Sequence, residues 1–167
     1  MEHGELNDRL GALARRYARL LQDQLNERLV TVALFGSVAR RTANAHSDID
    51  LFVVVRDLPP GAFRRRAVVE PVREALLPDL ETLWQAGVYT DFVEVIRTLE
   101  EARQFHLLYL DMTGEVLLLY DQDRFLADRL AQVRERLAAL GARRRQVGSV
   151  TYWDLKPDFA PGEEIVL

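Results

Sequence analysis

Leu34-Phe35-Gly36-Ser37, then ten residues, then Asp48-Ile49-Asp50-Leu51-Phe52: the rest of the chain can be placed around this segment. The run that enters it, Leu29 to Phe35, is continuously apolar or β-branched and is stopped by Gly36, as expected of a strand buried on both faces. The run that leaves it, Ile49 to Val55, is a second strand of the same kind and ends before Pro59-Pro60. Glycine directly after a buried strand lets the backbone turn sharply and lets a phosphate approach closely, because no Cβ stands in the way. Ser37 adds a hydroxyl, and a short helix starting here would turn its free amides toward the same anion. Gly36 and Ser37 are therefore expected to form a phosphate cradle.

Asp48 and Asp50 are two apart at a strand start, so both carboxylates project from one face while Ile49 and Leu51 point into the core. Two carboxylates side by side repel each other unless a cation neutralises them, and an acid within so apolar a run is costly without a partner. Oxygen ligands of this kind suit Mg²⁺, which takes one or two carboxylates together with phosphate oxygens and water. A nucleoside triphosphate brings about four negative charges of its own, so two ions roughly 3.5 to 4 Å apart are the expected solution. A third carboxylate from a neighbouring strand could ligate one ion and help deprotonate an attacking hydroxyl. Asp91 and Glu94 are the candidates, three apart and so on opposite faces; Asp91, with the shorter side chain, is preferred.

Working outward, Leu6, Leu10, Leu13, Tyr17, Leu20, Leu21 and Leu25 lie on one stripe of a helix that precedes the first strand. Residues 61–77 read as a helix that Pro71 should kink or split. Tyr89 to Ile96 is a third strand, and Thr98 with Glu101 forms a capping box for a helix through about Leu110, ended by Gly114. Glu115 to Tyr120 is a fourth strand, and Leu126, Leu130, Val133, Leu137 and Leu140 mark a helix closed by Gly141. The tail, 143–167, is expected to be an extension with a strand from Val150 to Leu155. Strands interleaved with helices predict an α/β (α+β) architecture, a mixed sheet flanked by helices. With 167 residues and 49% hydrophobic content, one domain over 1–167 is expected.

The net charge is −4 and the basic residues are dispersed, so nothing drives the chain generally toward nucleic acid, which is not expected as a partner. There is no cysteine, which excludes disulfides and thiolate metal sites. The N-terminus is polar and no apolar run approaches the roughly 20 residues of a membrane helix, so no membrane association and a cytoplasmic location are expected.

Other features take plainer readings. Arg64-Arg65-Arg66 and Arg143-Arg144-Arg145 are expected to be solvated faces, Gly148-Ser149 a turn, His46 a solvated loop residue, and His106 a packing residue. Trp84, Tyr152 and Trp153 are expected in core or interface positions rather than in a base-stacking platform. Neither a Walker-type Gly-x-x-x-x-Gly-Lys-Ser/Thr nor a dinucleotide Gly-x-Gly-x-x-Gly occurs.

Gly36-Ser37 followed by Asp48-Ile49-Asp50-Leu51 resembles the signature of the minimal nucleotidyltransferases of the DNA polymerase β superfamily. The resemblance implies a polymerase-β-like fold in which Gly36, Ser37 and Arg40 bind the nucleotide phosphates. It assigns two Mg²⁺ to Asp48 and Asp50, with Asp91 completing the metal and catalytic set. One position departs: Arg41 follows Arg40, where family members often have glycine. The implied activity is transfer of a nucleoside monophosphate, AMP from ATP, to an acceptor hydroxyl. So short a chain resembles the antitoxin-like members that act on a separate helical HEPN-type partner. The alternatives are a non-catalytic stoichiometric partner of such a protein and a small-molecule enzyme acting on an aminoglycoside-like hydroxyl.

Overall fold

The two apolar runs pair with each other. In a computed structural model, which describes residues 2–148, 150–160 and 162–166, β1 (Leu29–Phe35) and β2 (Ile49–Val55) are antiparallel, with Phe35 opposite Asp50. The Ser149 half of the expected Gly148-Ser149 turn, and the ends of the expected 1–167 domain, lie outside those residues. On the far side of β2, β3 (Phe92–Thr98) runs parallel to it; β4 (Leu117–Asp121) runs antiparallel to β1. The order β3-β2-β1-β4 makes the predicted mixed sheet, with β1 and β2 central.

Both faces of that central pair are covered, as their unbroken apolar runs require. On one face α1 (His3–Leu25) and α3 (Ala62–Gln85) pack Leu10, Tyr17, Leu21, Leu76 and Leu80 against Leu51, Val53 and Val55. On the other, α5 (Leu108–Met112) and α6 (Phe125–Ala139) pack Tyr109, Met112, Leu126 and Leu130 against Phe52 and Val54. Asp50 shares the parity of Phe52 and Val54 but sits at the strand's entrance, where the cover thins and the residue is half-buried.

Several boundaries differ from the sequence expectation. Helix α3 is not split: it runs 24 residues through Pro71 and Pro78. Both prolines are exposed, as are Ala67 and Glu74, whose carbonyls lose their helical donors, so water can satisfy those groups. The opposite stripe, Val69, Val72, Leu76, Leu80 and Leu83, is buried and keeps the helix continuous through a local cost of about 3 kcal/mol per proline. The capping box forms, with both Thr98 and Glu101 arms made, but the helix it starts is short: α4 (Leu99–Arg103) stops and α5 follows after a break. The break lets Tyr109 turn into the second core, where its hydroxyl donates to the Ala102 carbonyl at 2.6 Å. His106, in the break, accepts from the Leu108 amide, so packing is joined by a capping role.

Arg65 is not a solvated residue. Its guanidinium forks onto both oxygens of Glu101 at 2.8 and 2.9 Å, which joins α3 to α4 and holds the Glu101 carboxyl below the usual carboxylate range. Arg143 to Val147 form β5, paired with β6 (Val150–Asp154) in a hairpin, where no strand at 143–147 was expected. Trp153 and Leu155 pack that hairpin against the second core, as expected for Trp153. Trp84 donates its indole N–H to the Thr90 carbonyl at 2.8 Å.

Asp121 joins three elements. Its carboxylate accepts from the Leu126 and Ala127 amides at 2.9 and 3.0 Å, capping α6 from outside the helix, and from the buried Thr31 hydroxyl at 2.8 Å. Asp121→Ala will cost roughly 2–3 kcal/mol, the sum of a lost cap and a stranded hydroxyl, read as a drop in the urea midpoint.

Candidate active site

Because Phe35 faces Asp50 across the ladder, the next residue, Gly36, lies directly against the Asp50 carboxylate. Gly36 has φ +70°, and a Cβ there would fall 2.1 Å from Asp50 Oδ2 and 3.0 Å from its Cγ. Glycine is therefore required twice, by backbone conformation and by the approach of the acid. The chain then forms one short turn of helix, α2 (Gly36–Ala39), anchored by the buried Val38, with Ser37 half-exposed and Arg40 exposed beside it.

The loop after α2 is tied to the start of α1. Asn7 is 3% exposed; its amide nitrogen donates to the His3 carbonyl at 2.7 Å and its oxygen accepts from the Ala43 amide at 3.1 Å. The sequence reading overlooked Asn7, although its place three residues before Leu10 puts a polar side chain on the apolar stripe. Arg41 pairs with Asp8 at 2.9 Å in full solvent and adopts φ +59°. Left-handed backbone is the conformation that favours glycine, the residue the resemblance led one to expect here. Arg41→Gly will hold stability level or raise it by up to ~1 kcal/mol, since the exposed ion pair contributes less than the strained φ costs; a lower melting temperature would contradict this.

Asp48 and Asp50 flank Ile49, which is buried in the core. Burial first, then the charge of Asp48, raises the Asp50 carboxyl above the usual carboxylate range, with Arg40 partly offsetting both. Among the described residues neither acid forms a salt bridge. Two neighbouring carboxylates without an ion pair, beside a main chain with no room for a Cβ, fit a divalent cation carrying phosphate.

Asp91 does not join them. It precedes β3 rather than lying within it, and its carboxylate turns to the sheet edge, where Arg73 of α3 donates to both its oxygens at 2.9 and 2.8 Å. Glu94 faces the core, as its parity requires, and accepts from the same guanidinium and from Tyr17. The β3 residue in register with Asp50 is Val93, 43% exposed. Among the described residues no group of three His, Cys, Asp or Glu side chains converges as a metal site. In this structure the Asp91 carboxylate is paired with the Arg73 guanidinium rather than turned toward Asp48 and Asp50.

From Asp91 a groove of about 730 Å³ follows the free edge of β3 past Val93 and Val95, walled by Arg65 and Arg66 of α3. His46 is exposed, as expected, and stacks on Tyr89 with ring centroids 5.7 Å apart and planes within 10°. The backbone beneath is closed by the Tyr89 amide donating to the Ala45 carbonyl at 2.7 Å.

The family model for the nucleotidyltransferase domain matches residues 15–110, a span that runs from within α1 into α5 and contains Gly36, Ser37, Arg40, Asp48, Asp50 and Asp91. The chain belongs to that family. This nucleotidyltransferase is 25% identical over 113 residues to the candidate protein adenylyltransferase MJ1305 of Methanocaldococcus jannaschii, covering 68% of this chain and 73% of that one. Among solved structures it is similar to a toxin–antitoxin with AMP-PNP (17% identity, 76% of this chain and 92% of that one, TM-score 0.46). It is also similar to a chain of a complex of tri-AMPylated Shewanella oneidensis HEPN toxin with MNT antitoxin (19% identity, 78% and 90%, TM-score 0.44). No helix among the described residues is long and apolar enough to cross a membrane.

Proposed function

We propose that this nucleotidyltransferase moves AMP from ATP to a hydroxyl on a partner protein in the cytoplasm, with Asp48 and Asp50 holding two Mg²⁺. The observation that carries the reading is the contact between Gly36 and Asp50: the Cβ-free residue of the turn is pressed against the Asp50 carboxylate. Bound there, Mg²⁺ would neutralise the charge of the triphosphate and of the leaving pyrophosphate. Ser37 and the amides at the start of α2 bind the β and γ phosphates, and Arg40 adds a cation at the rim. The acceptor hydroxyl oxygen attacks the α-phosphorus in line and gives its proton to water, the bond from the α-phosphorus to the oxygen bridging it to the β-phosphorus breaks, and pyrophosphate leaves. The chain's contribution is position and charge, since it forms no covalent bond to the nucleotide.

Adenylyl transfer to protein is supported by the name of the archaeal relative, and a HEPN-type partner by the resemblance of the motif. The acceptor would enter along the groove beside β3, which opens toward Asp91. Purified protein with ATP labelled at the α-phosphate, Mg²⁺ and a co-expressed HEPN-type partner should place label on that partner. Label following the γ-phosphate, or no label with any acceptor, would refute the proposal.

A second reading, a stoichiometric binding partner with little turnover, is favoured by one observation: Val93 occupies the place beside Asp50 and Asp91 is engaged elsewhere. A tight complex that stays unlabelled in the same experiment would select it.

A further inference from the structure

Arg73 is an unusual residue to find on a helix whose opposite face is fully solvated. Its side chain is 11% exposed, and that of its partner Glu94 is 5% exposed. Removing two charges from water to this extent costs several kcal/mol per ion before pairing, and apolar side chains of the same size would hold α3 to β3 at least as well. An apolar side chain could not fork. Nη1 donates to the Glu94 oxygens at 3.0 and 3.1 Å and to the Phe92 carbonyl at 2.7 Å; Nη2 donates to both Asp91 oxygens. Asp91 Oδ1 also accepts from the Phe92 amide at 2.7 Å.

The main chain of Asp91 holds the Asp48-Ile49 segment. Its amide donates to Asp48 Oδ1 at 3.1 Å, and its carbonyl accepts from the Ile49 amide at 2.9 Å. At the other end Tyr17, fully buried in α1, donates to Glu94 at 3.2 Å. A continuous polar path thus runs from Tyr17 through Glu94, Arg73 and Asp91 to Asp48. Asp48 itself is exposed and precedes its strand, so without that amide its carboxylate has little to orient it.

We infer that Arg73 is a positioning residue: by fixing Asp91 with its fork it holds the Asp91 amide on Asp48 and presets that carboxylate for a divalent cation. The inference rests on the reading of Asp48 and Asp50 given above. It reassigns Asp91 from ligand to brace, its side chain serving Arg73 and its main chain serving Asp48. Outer partners of this kind set the orientation of a ligand, and removing them weakens metal binding without removing the ligand.

The test is binding of Mn²⁺ to the full chain, followed by calorimetry, with melting temperature recorded in parallel. Arg73→Met alone would leave Glu94 charged and buried without a partner, so it is combined with Glu94→Gln, which still accepts from Tyr17. Arg73→Met/Glu94→Gln and Asp91→Ala are each expected to weaken Mn²⁺ binding about tenfold, the low end for such partners. Arg73→Lys keeps the charge but not the fork, so it should weaken binding similarly. Asp91→Ala removes a half-exposed side chain, but weaker binding there would also follow if Asp91 were a ligand, so Arg73→Lys, which keeps a positive charge beside Glu94, decides the matter if the double variant is unstable. Wild-type affinity in Asp91→Ala or Arg73→Lys would overturn the inference; so would tighter binding in Arg73→Lys, the result expected if Asp91 were a ligand released from restraint. Absence of Mn²⁺ binding by the wild-type chain would instead bring down the site reading itself.

Discussion

Asp50→Asn will abolish nucleotidyl transfer, by at least about a thousandfold, while raising the melting temperature. The loss follows from removing one of two carboxylates assigned to the cation; a thousandfold corresponds to about 4 kcal/mol of barrier. The gain in stability follows from the electrostatics of the empty pair. Burial and the neighbouring Asp48 raise the folded-state pKa of Asp50, so the folded chain holds this proton more tightly than the unfolded chain does. Folding stability therefore falls as pH rises from the ordinary carboxylate range through the raised value, and at neutral pH the charged pair is a net cost. Asparagine removes that cost, so the variant will gain most at neutral pH and least in acid, by roughly 0.5–2 kcal/mol at pH 7. Melting curves of both proteins across pH 4 to about 8, the span over which carboxylates titrate, check the sign. A variant less stable at neutral pH would show that the pair is not repulsive, and one that still transfers AMP would displace the site.

Gly36→Ala is the second large effect, and it strikes fold and chemistry together. Left-handed backbone costs alanine about 1 kcal/mol, and a Cβ 2.1 Å from Asp50 Oδ2 forces one of the two to move, for a total of roughly 2–4 kcal/mol. The same movement separates the turn from the acid, so ATP binding in the presence of Mg²⁺ should disappear from a calorimetric titration. Adding Asp50→Ala to Gly36→Ala removes the clashing atom and should restore part of the stability but none of the binding. If Gly36→Ala binds ATP normally, the turn is not the phosphate cradle.

The elements that sequence located well are those whose signal is local. Leu29–Phe35 and Ile49–Val55 end where predicted, because a buried run bounded by glycine or by a polar loop leaves no other register. The Thr98–Glu101 capping box also forms, since its two hydrogen bonds span only three residues. The misses share a different cause. Pro71 reads as a breaker until the buried stripe on the other side of α3 is weighed against it. Arg143-Arg144-Arg145 is a solvated face, as read, but the strand it forms was missed, because it depends on pairing with β6, whose Trp153 docks on the second core. Arg65 reads the same way, and Glu101, 36 positions away, supplies its fork.

At the site the same division holds. The Gly-Ser turn and the Asp-x-Asp pair were legible because strand periodicity alone puts the two carboxylates on one face and the turn at a strand end. That face and that turn meet because β1 pairs with β2 in the register that sets Phe35 against Asp50, and no local rule contains that register. Asp91 shows the limit most directly. Its spacing and type suit a third ligand, yet the direction of its carboxylate was settled by Arg73, 18 residues earlier on a packed helix. Short-range chemistry is written in residue order, whereas the partner that captures a charged side chain is whichever group the packed fold brings within reach.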